Sequence, residues 1–232
     1  MINNKRVLAL VPARGGSKRI PNKNIIEFCG SPLINMTLKC SLNSEYIDEI
    51  VVSTDNKKIS EVANKFDVEV IQRPNNISGD HSPTIDTILH VLEYKNNGFE
   101  IIVLLQPTSP LRTANDIDRA LEYHQDKNSQ SVISVCETEH NIQHINVLPE
   151  SKNMKNFINE NDVKTRTQDL TKHYRLNGAL YIADIPSIKK NKTFFMGENT
   201  YAYIMDKINS IDIDDQYDLK VAEFLFKNYM AF

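Results

Sequence analysis

Short apolar runs alternate with amphipathic segments along most of the chain. Runs of four to six mainly apolar residues are typical of strands that are buried on both faces of a sheet. Segments with apolar positions three and four residues apart are typical of helices that pack against such a sheet. The pattern predicts strands over 7–11, 49–54, 68–71, 101–105 and 131–136, and helices over 33–42, 59–66 and 82–94, with a further helix capped by Thr113.

This alternation predicts an α/β fold with a doubly wound, mostly parallel sheet that carries helices on both faces. It breaks over 137–173, a polar segment rich in Asn and Lys that we interpret as an arm protruding from a single domain of residues 1–232. Strand character returns at 175–184 and 193–205. A helix is predicted over 215–229, with an inner face formed by Tyr217, Val221, Phe224 and Leu225.

Composition narrows the possible functions. The chain has 232 residues, 41% hydrophobic and 25% charged, with a formal net charge of -3, which is ordinary for a globular protein. This balance gives no electrostatic footprint for a nucleic-acid partner, and no apolar run approaches the roughly 20 residues of a membrane helix. We expect no secretory signal, and Cys29, Cys40 and Cys136 form no Cys-x-x-Cys pair, which predicts reduced thiols in a cytoplasmic protein.

The loop after the first strand carries the strongest chemical signal. Residues 1–26 hold six Lys or Arg and no Asp or Glu, although the whole chain is slightly negative. Such a loop is suited to a small polyphosphate, which backbone N–H groups and cations can surround. It lacks the Gly-Lys-Ser/Thr of a P-loop and the Gly-x-Gly-x-x-Gly of a dinucleotide fold. The loop contains the glycines Gly15 and Gly16 and the cations Arg14, Lys18, Arg19 and Lys23.

Two acidic residues near the C-terminus form a candidate metal site. Asp212 and Asp214 alternate across Ile213, so an extended backbone places both carboxylates on one side. Two hard oxygen ligands suit Mg2+, which keeps several waters and also binds substrate phosphates. The competing interpretation is that these acids, with Asp215 and Asp218, only cap the final helix.

Further polar residues stand where ligands are expected in an open α/β sheet. Gln106 directly follows the apolar strand 101–105, and ligands bind beyond the carboxyl ends of such strands. The alternative is that Gln106 only bonds its own turn. Arg175, Asn177 and Tyr181 have odd spacing in a predicted strand, which predicts that they share one face.

Six sequence blocks together resemble the CMP-N-acylneuraminate cytidylyltransferases, also called CMP-sialic acid synthetases. The blocks occur in the order found in that family and span most of the chain. They are PARGGSKRIPNKN at 12–24, VSTD at 52–55, QRP at 72–74, LQPTSPLR at 105–112, YRLNGALY at 174–181 and SIDID at 210–214.

The resemblance implies a reaction and a set of site residues. CMP would pass from CTP to a nine-carbon 2-keto acid sugar, with Mg2+ as cofactor and release of pyrophosphate. The implied nucleotide-binding residues are Arg14, Ser17, Lys18, Lys23, Asn24 and Arg73. The implied sugar-binding residues are Gln106, Arg166, Arg175, Asn177, Tyr181, Phe194 and Phe195, although core packing is the ordinary interpretation of the two phenylalanines. Arg14 and Lys18 would stabilise the leaving group, and Asp212 and Asp214 would bind the metal.

The resemblance also implies a homodimer, in which the arm at 137–173 reaches a second subunit. N-acetylneuraminic acid is the expected sugar, with legionaminic acid or a related nonulosonate as the alternative. Thr167 stands where many family members have a second cation, and His144 where some have a lysine. Both changes fall on the sugar side. A nucleotide-binding regulator and a protein-interaction module are the alternatives from other functional classes, and the cationic loop argues against the second.

Overall fold

A computed structural model describes residues 1–96, 98–158, 166 and 170–230. The described strands are β1 Val7–Pro12, β2 Glu27–Phe28, β3 Ser31–Pro32, β4 Glu49–Thr54, β5 Glu69–Gln72, β6 Ile101–Leu105, β7 Ser131–Glu137, β8 Tyr174–Asp184 and β9 Thr200–Ile204. Seven of them form one sheet in the order β5-β4-β1-β6-β8-β7-β9, while β2 and β3 form a short hairpin.

Most strand pairs in the large sheet are parallel, as predicted. β1 pairs with β4 and β6, β4 pairs with β5, and β7 pairs with β9, all in parallel. β8 lies between β6 and β7 and is antiparallel to both. The sequence predicted a strand there but not its direction, because the direction depends on the route taken by the long segment that joins β7 to β8.

Helices cover both faces of this sheet, which confirms the doubly wound arrangement. Successive residues of β1 point to opposite faces. The helices are α1 Ile34–Leu42, α2 Lys57–Ala63, α3 Thr84–Tyr94, α4 Ala114–Asp126, α5 Ile185–Asn191 and α6 Gln216–Leu225. Ala9 and Val11 pack in one apolar cluster with α1, α2 and α4, whereas Leu8 and Leu10 pack in another with α3 and α5.

The last helix, α6, buries only part of its predicted inner face, since Leu225 packs inward but Tyr217 and Phe224 do not. Leu219 and Ala222 face a third apolar cluster that also contains Phe28. Tyr217 and Phe224, predicted to face inward, are 75% and 61% exposed. Apolar residues occupy two sides of this helix, so their spacing alone did not determine which side is buried.

The helix cap predicted at Thr113 is present at the start of α4. The Thr113 hydroxyl oxygen accepts from the backbone N–H of Asp116 at 3.1 Å, and an Asp116 carboxylate oxygen accepts from the backbone N–H of Thr113 at 2.8 Å. This reciprocal arrangement is a capping box. By contrast, Ser82 was predicted as the N-cap of α3 and Pro83 as its first residue. The helix begins one residue later, at Thr84, and no side chain caps it.

Neither a disulfide nor a membrane-spanning helix is found in the described part of the chain. Cys40 and Cys136 are buried, Cys29 is half-buried, and all three are free thiols, as expected from their spacing. None of the described helices is long and apolar enough to cross a bilayer.

The arm between β7 and β8 is described over residues 138–158, at Arg166 and at 170–173. Its described part contains one short 3-10 turn, Ile142–His144, and Arg166 is exposed. Thr167 lies outside the described residues. Several large apolar side chains of the arm are exposed, up to 87% for Val147, and they are Ile142, Ile145, Val147, Leu148 and Met154.

Candidate active site

A pocket of about 580 Å3 opens at the carboxyl ends of β1, β5 and β6. The loop after β1, Arg73 after β5, Gln106 after β6 and the segment before α3 contribute to its walls. Nine residues that were predicted to bind ligands line it, and they are Arg14, Ser17, Lys18, Lys23, Asn24, Arg73, Gln106, Asp212 and Asp214.

The loop after β1 is held in place by its own polar groups. Asn24 donates from Nδ2 to the Arg14 carbonyl oxygen at 2.9 Å, and the backbone N–H of Gly15 donates to Asp55 Oδ1 at 2.8 Å. A Cβ at Gly15 would lie 2.5 Å from Nδ2 of Asn56, whereas one at Gly16 would meet nothing within 4 Å. A side chain at position 15 would therefore collide with Asn56, which accounts for the glycine there.

All four cations of the loop face carboxylates. Arg14 Nη1 lies 2.7 Å from Asp80 Oδ1, and Lys18 Nζ lies 2.5 Å from Asp80 Oδ2. Arg19 Nη1 and Lys23 Nζ lie 3.0 Å and 3.4 Å from the carboxylate of Asp214. These ion pairs are at least partly exposed to solvent, so each contributes little to stability but aims a cation into the pocket.

Asp212 and Asp214 do not cap the last helix, which removes the competing interpretation. Asp215 is the N-cap of α6 and forms a capping box with Asp218. Asp218 Oδ2 also accepts from the backbone N–H of Asp214 at 2.9 Å, so the Asp214 carboxylate is left to face the loop cations. Burial raises the pKa of Asp212 above its usual range, and its Oδ1 has no hydrogen-bond partner among the described residues.

Arg73 contributes to the pocket wall, but its Nε and Nη2 donors form hydrogen bonds within the protein. Its Nε donates to the Ser53 hydroxyl oxygen at 3.1 Å, and its Nη2 donates to the Ser53 carbonyl oxygen at 2.6 Å. Burial lowers the pKa of Arg73 to about 10. Arg73 therefore joins the ends of β4 and β5 beneath the pocket.

Gln106 lies where the sheet end meets the acidic segment. A Cβ added to Gly178 would lie 3.2 Å from Gln106 Oε1 and 3.5 Å from Asp212 Oδ2. Both side chains therefore lie close to the backbone of Gly178. Gly178 has a φ of +72°, a conformation that favours glycine. Below this point the buried Arg112 donates from Nη1 to the carbonyl oxygens of Gln106 at 3.2 Å and Ala179 at 2.5 Å.

The residues predicted on β8 do not share one face. Asn177 is buried, donating to Ser210 Oγ at 2.9 Å and lying near Met205 of the first apolar cluster, whereas Tyr181 packs against the second cluster. The register of β8 against β7 shifts between these positions, and the resulting bulge breaks the two-residue alternation. Arg175 is paired with Glu139 at 2.8 Å, and none of the three lines the pocket.

The remaining sugar-side residues also lie outside the pocket wall. Phe194 is buried and contacts Tyr181 with ring centroids 5.3 Å apart, which is core packing. Phe195 and Arg166 are exposed. None of these three contributes to the pocket lining in this single chain.

Sequence reasoning missed Asp80, which contacts two of the loop cations. It is a lone acid in a polar segment, and its partner Arg14 lies 66 residues away, so neither periodicity nor a motif indicated it. Thr108 was also missed as a wall residue, and a hydrogen bond from it lowers the pKa of Asp212 against the larger effect of burial.

The fold and the pocket define a nucleotide-binding α/β protein, since a cation-rich loop and paired carboxylates meet at the carboxyl ends of parallel strands. A family model described as cytidylyltransferase matches residues 8–231. The chain belongs to this cytidylyltransferase family.

Several known proteins are similar to this chain. A pseudaminic acid cytidylyltransferase of Campylobacter jejuni is 34% identical, covering 95% of this chain and 96% of its own. A CMP-N,N'-diacetyllegionaminic acid synthase of Legionella pneumophila is 35% identical, covering 96% and 97%. An N-acylneuraminate cytidylyltransferase of Escherichia coli is 32% identical over 94% of this chain but only 51% of its own length.

Among solved structures, CMP:2-keto-3-deoxy-manno-octonic acid synthetase complexed with CTP has the same fold. Its TM-score is 0.69, its sequence is 16% identical, and the match covers 97% of this chain and all of that chain. This likeness supports the architecture of the sheet.

Proposed function

We propose that this protein transfers CMP from CTP to the anomeric hydroxyl of a nine-carbon 2-keto acid sugar and releases pyrophosphate. The observation that carries the proposal is the pocket of about 580 Å3, in which a loop with four cations meets Asp212 and Asp214. Arg19 and Lys23 pair with Asp214, while Arg14 and Lys18 pair with Asp80. Such a site matches a polyphosphate whose charge is shared between cationic side chains and a divalent metal. Membership of the cytidylyltransferase family supports CTP, and relatives named for three nonulosonic acids support the acidic sugar.

The nucleotide side of the reaction is assigned to the loop after β1. The anomeric hydroxyl oxygen forms a bond to the α-phosphorus as the bond from that phosphorus to the bridging oxygen breaks. The electron pair of the broken bond leaves with pyrophosphate, and the hydroxyl proton passes to water. Because negative charge grows on the leaving group, Arg14 and Lys18 stabilise the transition state more than they stabilise bound CTP. Ser17 adds a hydroxyl donor, while Asn24 and Arg73 hold the shape of the wall.

Mg2+ is the proposed cofactor, and Asp212 and Asp214 are its proposed protein ligands. The fit rests on Asp212 Oδ1, a buried acceptor to which no described residue donates, beside a second carboxylate in the same pocket. The described residues contain no group of three or more acidic, His or Cys ligands, so waters and phosphate oxygens would complete the shell. When bound, the metal supplies positive charge to phosphate oxygens. The exposed Arg19, which pairs with Asp214 in the described structure, would then be available to phosphate.

Gln106 is the proposed sugar-binding residue in the pocket. Its side-chain amide can donate and accept hydrogen bonds, as a polyhydroxylated substrate requires. Its Oε1 lies beside Gly178 and close to Asp212, so a sugar bound there stands next to the proposed metal.

N-acetylneuraminic acid is the proposed sugar, with legionaminic acid as the alternative. The experiment measures pyrophosphate release from CTP and Mg2+ with N-acetylneuraminic, legionaminic and pseudaminic acid and with the eight-carbon Kdo in parallel. Preferred turnover of N-acetylneuraminic acid supports the proposal. Preferred turnover of another sugar reassigns the substrate, and no release with any of them contradicts the reaction.

We further propose a cytoplasmic homodimer in which the arm contacts a second copy. The exposed apolar side chains of the arm, such as Val147 and Leu148, support an interface, and Arg166 and His144 lie on the same segment. Sedimentation should then give a dimer whose dissociation on dilution reduces activity. A fully active monomer contradicts this assembly.

A further inference from the structure

Asp80 forms a carboxylate bridge between the two cations assigned to the leaving group. It stands between the 3-10 turn Asn75–Ile77 and α3, on the pocket wall opposite the loop after β1. Each of its oxygens faces a different cation, at 2.7 Å for Arg14 and 2.5 Å for Lys18. The two cations hold the pKa of Asp80 below its usual range, so it is ionised at neutral pH.

This bridge and a bound phosphate group compete for the same donors. Two oxygens of a phosphate group present the same pair of acceptors as the two oxygens of Asp80. A carboxylate left in place would also repel the incoming phosphates, because like charges at close range disfavour each other. Asp80 must therefore release Arg14 and Lys18 when an anion binds.

Asp80 differs in this respect from the other carboxylate that faces the loop. Asp214 pairs with Arg19 and Lys23 but has a second use as the proposed metal ligand. Asp80 has no such second use in the proposed reaction. In the described structure the Asp80 carboxylate pairs with Arg14 and Lys18. This geometry fits a carboxylate that a phosphate group can replace at the two cations.

We propose that Asp80 is an internal counter-ion that exchanges with pyrophosphate. It holds Arg14 and Lys18 in the pocket before CTP binds, gives them up to the phosphates, and takes them back as pyrophosphate leaves. The inference rests on the proposed function and makes Asp80 a positioning residue that weakens product binding. Its removal should tighten the binding of pyrophosphate.

The test compares Asp80→Asn with the unchanged protein. Asparagine keeps the size and polarity of the side chain but removes its charge. Calorimetry with inorganic pyrophosphate and Mg2+ should give a Kd about tenfold lower in the variant, and the product-inhibition constant of pyrophosphate should fall in parallel. A Kd that falls less than threefold, or that rises, overturns the proposal.

Two further variants make the result specific. Asp126→Asn removes one negative charge from the exposed end of α4 and should leave the Kd unchanged. In an Arg14→Ala background, Asp80→Asn should tighten pyrophosphate binding much less, because one of the two competing contacts is gone. If Asp80→Asn tightens binding equally in both backgrounds, the competition is not local and the proposal fails.

The same titrations separate this inference from the proposed function. If the unchanged protein binds neither CTP nor pyrophosphate, the proposed function fails and the role of Asp80 fails with it. If the unchanged protein binds both, and Asp80→Asn binds pyrophosphate no more tightly, only the role of Asp80 is wrong.

Discussion

Lys23 donates from Nζ to the carbonyl oxygen of Ile213 at 2.7 Å, across 190 residues of sequence. This bond joins the cationic loop to the acidic segment directly, between the two proposed metal ligands. The Lys23 side chain is only 16% exposed, so the contact is largely shielded from solvent. The proposed phosphate-binding loop and the proposed metal-binding segment therefore meet at this hydrogen bond.

Asp214→Asn should reduce turnover by about a thousandfold at saturating Mg2+, because a neutral amide is a poor ligand for a hard cation. Asp215→Asn is the matched control. It removes the neighbouring charge, yet asparagine caps a helix as well as aspartate does, so α6 and the activity should persist. The measurement is pyrophosphate release as a function of Mg2+ concentration. Near-normal, Mg2+-dependent turnover in Asp214→Asn would contradict the metal assignment.

Gly178→Ala should raise the KM for the sugar by about tenfold or more, since the new methyl group would press on Gln106 Oε1 from 3.2 Å. The left-handed φ of +72° should also cost about 1 kcal/mol in the free energy of unfolding. Gly197→Ala provides the control, because its φ is +62° and its added Cβ meets nothing within 4 Å. Both variants should lose similar stability, but only Gly178→Ala should lose activity. Equal sugar KM values in the two would show that Gly178 does not shape the sugar site.

Arg112→Met should lower the free energy of unfolding by about 3 kcal/mol, measured by urea denaturation. The side chain is buried and donates to the Gln106 and Ala179 carbonyls and to Thr37 Oγ1, at 3.2, 2.5 and 2.9 Å. Methionine fills much of the space but donates to none of these acceptors. Arg119→Met, at an exposed site on α4, should cost little. A loss below 1 kcal/mol at Arg112 would mean that water replaces its hydrogen bonds.

The strands were predicted best where burial on both faces leaves little choice of structure. β4 and β6 have the predicted bounds, since the apolar run that fills β6 and the one at the centre of β4 are typical of a central strand. The one-face prediction for β8 was wrong, because a bulge is set by the partner strand and by the positive φ of Gly178 rather than by spacing.

The same distinction applies to the residues of the candidate site. The loop cations and Asp214 were visible in the sequence because they are clustered within short motifs. Asp80 and Arg112 were not, because each acts through partners that only the fold brings near. Asn177 was predicted to contact a ligand, but its polar atoms are used by Ser134, Ala179 and Ser210.

His124 should make the protein less stable in mild acid. Its side chain is 1% exposed, and burial lowers its pKa to about 4. The nearest carboxylate oxygen, on Asp184, lies 3.9 Å from Nε2, too far for a hydrogen bond that would offset this burial.

The direction of this pH dependence follows from the histidine pKa values of the unfolded chain and of the folded protein. The unfolded chain, with a histidine pKa of about 6.5, binds the proton more readily than the folded protein. The contribution of neutral His124 is therefore fully present above about pH 6.5 and is lost as the pH falls towards 4, by up to about 3 kcal/mol. His124→Gln should flatten the curve of unfolding free energy against pH over this range, whereas replacing the exposed His140 by Gln should not. The urea midpoints at pH 7.0 and 4.5 test this, and a pH slope unchanged by His124→Gln would show that another group is responsible.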